Sequence, residues 1–468
     1  MIRLGVDGLR LDQCAGAAWL SAVAFAAAAV STLALAGEPV MNERVQIGRS
    51  NSDMPAQSVV VRSAQIATVS TLQELISEAL KNNPEIRAAA HEKEAAAQRI
   101  SPAGALDDPM IEAGLISVPL QSLRLNREDM TMKMLGVSQR LPYPGKRGLR
   151  ADVAAKDAES VGFGYQETVN RVIRDVRVAY YDIALIDRSI ELLERNRRLI
   201  EQLLRIAEGR YTVGQGAQAE VLRAQTQLAK MSEELVRMHR ERRSMEAELV
   251  RALGRGGEAG QIKAALPGVD STALNFDALR EAALRQRPQL LGLRTLIDKN
   301  QKALDLARKD YYPDFDLRFQ YGQRDNMPDG TPRSDLVSFT VAINLPVWEK
   351  QKLDPKIAEA QAMREQALSM YQAQENELAA KLRQQIAIAE QSRESARLYE
   401  TGILPQARLA LESALSAYKV NRIDFQMLLD SQMSVFGYEI NHAGVVTALG
   451  KALAEIDQLT GKPIANAR

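Results

Sequence analysis

The stretch TLQELISEALKNNPEIRA (residues 71–88) returns as NFDALREAALRQRPQLLG (275–292), displaced by 204 positions. The displacement holds without a gap for more than seventy residues: Pro84 falls on Pro288, Pro109 on Pro313, and Leu141-Pro142 on Leu345-Pro346. A duplicated chain points to internal pseudo-symmetry, as in a ring or tube. Duplication adds little to a catalytic centre, whereas it adds wall to a pore.

Within each copy the period of the hydrophobic pattern changes. A helical stretch, 84–104 or 288–310, ends at Pro109 or Pro313, and a period of two follows. In the second copy Phe315, Leu317, Phe319 and Tyr321 alternate with Asp314, Asp316, Arg318 and Gln320. Beyond the polar loop QRDNMPDGTPRS, Val337, Phe339, Val341, Ile343 and Leu345 alternate with Ser338, Thr340, Ala342 and Asn344. This predicts a hairpin with strands near 314–322 and 336–345, apolar on one face and polar on the other. By position the first copy has strands near 110–118 and 130–140. Its alternation is poorer: Met130, Met132 and Met134 share one face, which reads as an apolar strand face rather than a soft-metal stripe. Lys133, Val137 and Gln139 fall on the other.

Strands of about ten residues cross a bilayer when tilted, with lipid on one face and water on the other. A small amphipathic sheet packed on a helix in a soluble protein is the alternative. Four strands cannot close a barrel, and open sheet edges are not tolerated in lipid, so the membrane reading requires several copies of the chain.

The remainder of each copy is helical. Lys146 to Glu208 contains no proline, and its counterpart opens at Asp354-Pro355, read as an N-cap and first-turn proline. Gly402 and Pro405 predict a kink or break in that second run. The returning helices keep heptad spacing: Val221, Ala224, Leu228, Met231, Leu235, Met238, Met245, Leu249 and Ala252, interrupted by Arg242, then Leu428, Val435, Tyr438, Val445, Leu449, Ala452, Ile456 and Leu459. Such spacing means supercoiled packing and fits a soluble coiled-coil scaffold equally well. The long helices turn at RYTVGQGAQAEVL (210–222) and AYKVNRIDFQMLL (417–429), where Tyr211 matches Tyr418. Gly214 permits a left-handed residue, and Asn421, the next most tolerant, replaces it in the second copy.

Composition narrows the classes further. Sixty Lys and Arg balance 59 Asp and Glu, which gives no pull toward nucleic acid. Arg3 and Arg10, an apolar run over 15–35 and Ala34-Leu35-Ala36 read as a signal peptide over 1–36, with a membrane anchor as the alternative. Residues 37–70 read as a flexible segment, 71–254 as the first repeat, 255–274 as a linker, 275–461 as the second repeat and 462–468 as a tail. Cys14 is the single cysteine and lies before the apolar run, the wrong place for a lipid-modified N-terminus. His91, His239 and His442 are mutually distant, so no zinc spacing occurs. Phosphate loops and nucleophile elbows are likewise missing, and neither an enzyme nor a cofactor is expected.

The duplicated helix–hairpin–helix pattern, the Y-x-V-G turn and the following V-L-x-A-Q resemble TolC-type outer membrane efflux proteins over about 71–461. The segment SQRLPYPGKRGLR (138–150) resembles their heavy-metal, CzcC/CusC-like branch. The resemblance implies a homotrimer: a twelve-stranded outer-membrane β-barrel joined to a long periplasmic α-helical barrel. It implies partners too, a periplasmic adaptor (membrane fusion protein) and an inner-membrane RND pump, docking at the helical tips. Matched residue by residue, the docking set is Tyr211, Val213, Gly214, Tyr418, Val420, Asn421 and Arg422. Acidic residues just inside the entrance match Glu220 and Asp430, a gate or cation filter; the position equivalent to Glu220 in the second copy is Met427, a departure. Heavy-metal export is the function this implies, with drug efflux or type I protein secretion as the alternative cargo, and a pore-free periplasmic scaffold as the reading from another class.

Overall fold

Thr71 and Glu74 start the first helix, α1 (Leu72–Asn82), by reciprocal capping: the Glu74 amide donates to Thr71 Oγ1 at 3.3 Å and the Thr71 amide to Glu74 Oε2 at 2.8 Å. Asn83 then ends α1 and caps α2 (Pro84–Gln98), its Oδ1 accepting from the Glu85 and Ile86 amides, with Pro84 in the first turn. A short α3 (Ile100–Gly104) leads to the first hairpin, β1 (Met110–Ile116) and β2 (Met132–Leu141). Next come α4 (Lys146–Thr212) and α5 (Gln218–Leu253). The second copy repeats this order with α6 (Phe276–Gln286), α7 (Pro288–Lys309), β3 (Phe315–Gln323), β4 (Leu336–Ile343), α8 (Asp354–Leu398), α9 (Leu404–Lys419) and α10 (Phe425–Thr460). The computed structural model describes residues 71–257, 262–269 and 273–462, all within one compact unit, Ile66–Arg468. The expected signal peptide (1–36), the 37–70 segment, the tail beyond Lys462 and part of the linker lie outside the described residues.

The four strands of the described residues form one antiparallel sheet in the order β1-β2-β3-β4. The β2–β3 ladder joins the two copies, running from Lys133 opposite Gln323 to Leu141 opposite Phe315. Partners directly opposite one another share a face. One face therefore carries the rows Ile111–Val137–Phe319–Phe339 and Ala113–Leu135–Tyr321–Val337. The other carries Met110–Ser138–Arg318–Thr340 and Glu112–Gly136–Gln320–Ser338, with Arg318 paired to Glu112 at 3.7 Å. The register overturns the expectation for the first hairpin. Met132 and Met134 lie on the face of Ser138 and Arg318, and Met130 precedes β2; the apolar face is that of Leu135 and Val137. Weak alternation in one strand could not assign its faces, whereas its neighbour in the ladder does. The apolar face is exposed in the single chain, with Ile111, Val337 and Phe339 each about two-thirds accessible or more. Among the described residues no helix is long and apolar enough to cross a membrane.

Where strands become helices, the two copies are tied together. Lys146 is only 3% exposed; its ammonium donates to Asp314 Oδ1 and to the Tyr312 carbonyl, both at 2.8 Å. Asp314 Oδ1 also accepts from the Tyr143 amide at 2.9 Å, and the Tyr143 and Tyr312 rings stack at 4.5 Å. Asp354 does not cap α8 as its sequence context suggested. A π-helical turn, Glu349–Leu353, feeds directly into the helix, and the Asp354 carboxylate accepts from the Tyr311 hydroxyl instead. Pro355 does sit in the first turn, and where a kink or break was expected the helix continues through a second π-helical turn at Tyr399–Ile403.

With 67 residues, α4 reaches ~100 Å and packs against α5, α7 and α10. The heptad residues supply the core: Ala224, Met231, Leu235, Leu249 and Ala252 on α5 are buried, as are Leu428, Val435, Leu449, Ala452, Ile456 and Leu459 on α10. Arg242, the interruption, pairs with Asp187 on α4 and Glu246. The linker lies on this surface, with Ile262 buried and the Ala265 amide donating to Tyr180 Oη at 3.1 Å. The duplication reaches down to single contacts. Gly254, ending α5 at φ +73°, abuts the α1–α2 turn so closely that a Cβ would lie 2.7 Å from the Asn82 carbonyl. Gly461, ending α10 at φ +78°, abuts the α6–α7 turn, where a Cβ would lie 2.9 Å from the Gln286 carbonyl.

Two outcomes are expected. Gly254→Ala and Gly461→Ala each lower stability by more than about 1 kcal/mol, through positive φ and overlap with backbone, which thermal melting of the purified protein measures. Lysine at Val337 or Phe339 impairs folding into lipid vesicles by roughly 2–4 kcal/mol, while lysine at Ser338, on the opposite face, costs much less.

Candidate functional site

The ends of α4 and α9 close with the same hydrogen-bond pattern. At the first turn the Gly214 amide donates to the Tyr211 carbonyl at 3.0 Å and the Gln215 amide to the Arg210 carbonyl at 2.8 Å. At the second, the Asn421 amide donates to the Tyr418 carbonyl at 3.1 Å and the Arg422 amide to the Ala417 carbonyl at 2.9 Å. Both are Schellman closures, which require a left-handed residue after the cap. Gly214 has φ +71° and Asn421 φ +58°. Asp424 then caps α10, its Oδ1 accepting from the Met427 amide at 2.9 Å.

The side chains around these matching backbones differ. Tyr211 is 47% exposed and Tyr418 only 1%. The Arg210 guanidinium lies 4.4 Å from the centroid of the Tyr418 ring and Phe425 meets the ring edge-on at 5.7 Å. The positions equivalent to Arg210 and Phe425 in the other copy hold Ala417 and Gln218, which are too small or too polar to cover Tyr211 in that way. Arg210 also donates to the Tyr418 carbonyl at 3.0 Å, to the Gln215 carbonyl at 3.1 Å and to Asn421 Oδ1, so it fastens both turns together. Tyr418 Oη donates to Glu220 Oε2 at 2.8 Å. Burial first, and the Glu220 carboxylate second, push the Tyr418 hydroxyl up to about 12, so it remains a proton donor throughout the neutral range.

A model of the family described as outer membrane efflux protein matches residues 75–255 and 279–462. The chain belongs to this family. CzcC, a cobalt-zinc-cadmium resistance protein of Cupriavidus metallidurans, is 26% identical over 235 residues, which are 47% of this chain and 54% of CzcC. The chain thus spans about half the length of the curated relative it matches. Among solved structures, the outer membrane protein VceC of Vibrio cholerae superposes with a TM-score of 0.71 at 17% identity, covering 84% of this chain and 97% of VceC. CusC, described for its transmembrane channel formation, gives 0.71 at 15% identity, covering 87% and 97%. At these identities the likeness is one of fold. Family membership places the protein in the outer membrane with a large periplasmic, helical part. The family and these neighbours are membrane and channel proteins rather than enzymes.

In this efflux-family chain the seven residues matched to the docking tips divide. Tyr211, Val213, Gly214, Val420, Asn421 and Arg422 are exposed around the two turns. Tyr418 is enclosed and presents no side-chain surface; it organises the turns from within. Of the two acidic residues, Glu220 is half-buried and held by Tyr418, whereas Asp430 is exposed on α10 and accepts from Gln426 Nε2 at 2.7 Å. The two carboxylates do not bond to each other within the chain. Sequence reasoning missed Arg210 and Phe425. The signal was present in the differences between copies, Arg210 against Ala417 and Phe425 against Gln218. His442 meets Glu400 at 3.1 Å beside the Tyr399–Ile403 turn, and His91 and His239 are exposed on helices. Among the described residues no cluster of His, Cys, Asp or Glu is arranged to hold a metal ion.

The raised Tyr418 value fixes the sign of a pH effect. Its contribution to the turns is complete below the ordinary tyrosine value near 10 and is lost as pH rises through about 12. Tyr418→Phe weakens the tip by about 1–2 kcal/mol at neutral pH, from the lost bond to a carboxylate. It also abolishes the alkaline loosening, as hydrogen exchange of the 210–225 and 417–432 amides reports.

Proposed function

We propose that the protein is the outer membrane exit duct of a tripartite efflux system. It acts as a homotrimer with a periplasmic adaptor and an inner-membrane RND pump, and its cargo is heavy-metal cations. The observation that carries the duct is the open four-stranded sheet. Its apolar face suits lipid, yet among the described residues β1 and β4 each keep an unpaired edge. In hydrocarbon an unpaired edge leaves backbone groups without partners, which only closure removes. Three copies of a four-stranded sheet give a twelve-stranded barrel, within the range of known membrane barrels. The likeness to CzcC supports the metal cargo. The duct performs no covalent chemistry: the pump supplies energy, and the duct supplies a water-filled path.

At the tips, the exposed residues of the two turns form the docking surface for the adaptor. Glu220 and Asp430, repeated around three copies, make acidic rings at the entrance that favour cations and repel one another. Tyr418 keeps each Glu220 in place while the turns remain closed.

Planar-bilayer recording of the purified protein tests this reading. Discrete conductance with cation preference is expected, together with trimers on cross-linking; a protein that neither inserts nor conducts overturns the duct. The double variant Glu220→Gln, Asp430→Asn is expected to lose cation preference and to leak more. Unchanged selectivity and leak in that variant would remove the acidic residues from the gate while leaving the duct standing.

A further inference from the structure

At the helical end of the sheet, the apolar face does not simply stop. Its last row, Leu141–Phe315–Ile343, borders a cavity of about 430 Å³, lined by Leu106, Leu141, Pro142, Tyr143, Phe315 and Arg147. That volume lies in the range of small-molecule sites. The cavity shares Leu141 and Phe315 with the apolar face and lies where strands give way to helices, which in an outer-membrane protein is the level of the lipid headgroups. Tyr143 and Tyr312 stack beside it, as aromatic rings do at a membrane boundary.

One cation lines it and a second lies beside its lining residues Tyr143 and Gly145. Arg147 is exposed and spends its Nε on the Gly104 carbonyl at 2.9 Å. The Lys309 ammonium lies over the Tyr143 and Tyr312 rings at 5.6 and 5.5 Å, and only 3.6 Å from where a Cβ on Gly145, another lining residue, would sit. Neither has a carboxylate partner among the described residues. Close by, other cations are paired: Lys146 with Asp314, Arg140 with Asp314 and Lys356 with Asp310. A cation left unpaired beside an apolar slot is complementary to an anion that carries a hydrocarbon tail.

We propose that this cavity binds a diacyl phospholipid of the periplasmic leaflet. One acyl chain lies against Leu106, Leu141 and Phe315, and the phosphate sits between Arg147 and Lys309. The inference rests on the outer-membrane location and not on the cargo or the gate. Its occupant ties β2 and β3 to the first turn of α4 at the point where the barrel meets the helices.

The test is native mass spectrometry of the full-length protein taken from nanodiscs of phosphatidylcholine containing phosphatidylglycerol, followed by graded delipidation. Wild type is expected to retain phosphatidylglycerol. Arg147→Gln with Lys309→Gln is expected to retain it about tenfold less, the equivalent of about 1.4 kcal/mol. Leu106→Trp fills the slot, leaves both charges in place, and is expected to lose the lipid as well. Retention unchanged in both variants overturns the proposal. So does displacement of the lipid by inorganic phosphate alone, which would mark a simple anion site. Circular dichroism and bilayer conductance on the same samples separate loss of lipid from loss of fold or of the duct.

Discussion

The pairing of β2 with β3 is the interaction on which the rest of the structure depends. It is the only ladder between the two copies in the four-stranded sheet, and it joins residues almost two hundred positions apart. Once Val137 stands opposite Phe319, every side chain of the first hairpin is assigned to a face. The same ladder delivers the β2–α4 and α7–β3 junctions to one place. There Lys146, almost fully withdrawn from solvent, is satisfied by Asp314 and the Tyr312 carbonyl. A buried charge of this kind is tolerated only with partners in good geometry, so the ladder and the ion pair require each other. From that junction α4 runs to the two turns alongside α5 and α10.

At the tip the duplication is retained in the backbone and abandoned in the side chains. Both turns close with the same two hydrogen bonds around a left-handed residue. Yet one tyrosine is capped by Arg210 and Phe425 and bonded to Glu220, while its counterpart stands in solvent. The result is a chain whose two turns are geometrically equivalent but chemically distinct. In the proposed trimer the entrance would then be three-fold in its chemistry.

Much of this was legible in the chain. The hairpin 315–343 declares itself by alternation, because a strand buries or exposes every second residue whatever its partners. The left-handed turns declare themselves through Gly214 and Asn421, because the steric cost of positive φ is local to the residue. The heptad positions of α5 and α10 declare themselves because helical faces recur every 3.5 residues or so. Other features were not legible for equally definite reasons. Asp354-Pro355 has the composition of a helix start, but a π-helical turn leads into it and Tyr311 claims the carboxylate. Met132 and Met134 look like an apolar strand face until the neighbouring strand sets their side of the sheet. Arg210 acts on Tyr418 across 208 positions, and nothing near Arg210 announces that reach.

By itself, then, the sequence determined the duplication, the kinds and lengths of the elements, and the places where the chain turns. Those depend on periodicity, capping and backbone sterics, which are properties of neighbouring residues. Only the tertiary structure decided which face of β2 is apolar, which of two matching tyrosines is enclosed, and which cations are left without a carboxylate. Those depend on contacts between elements far apart in the chain, whose partners become neighbours only when the β2–β3 ladder and the α4–α10 packing have formed.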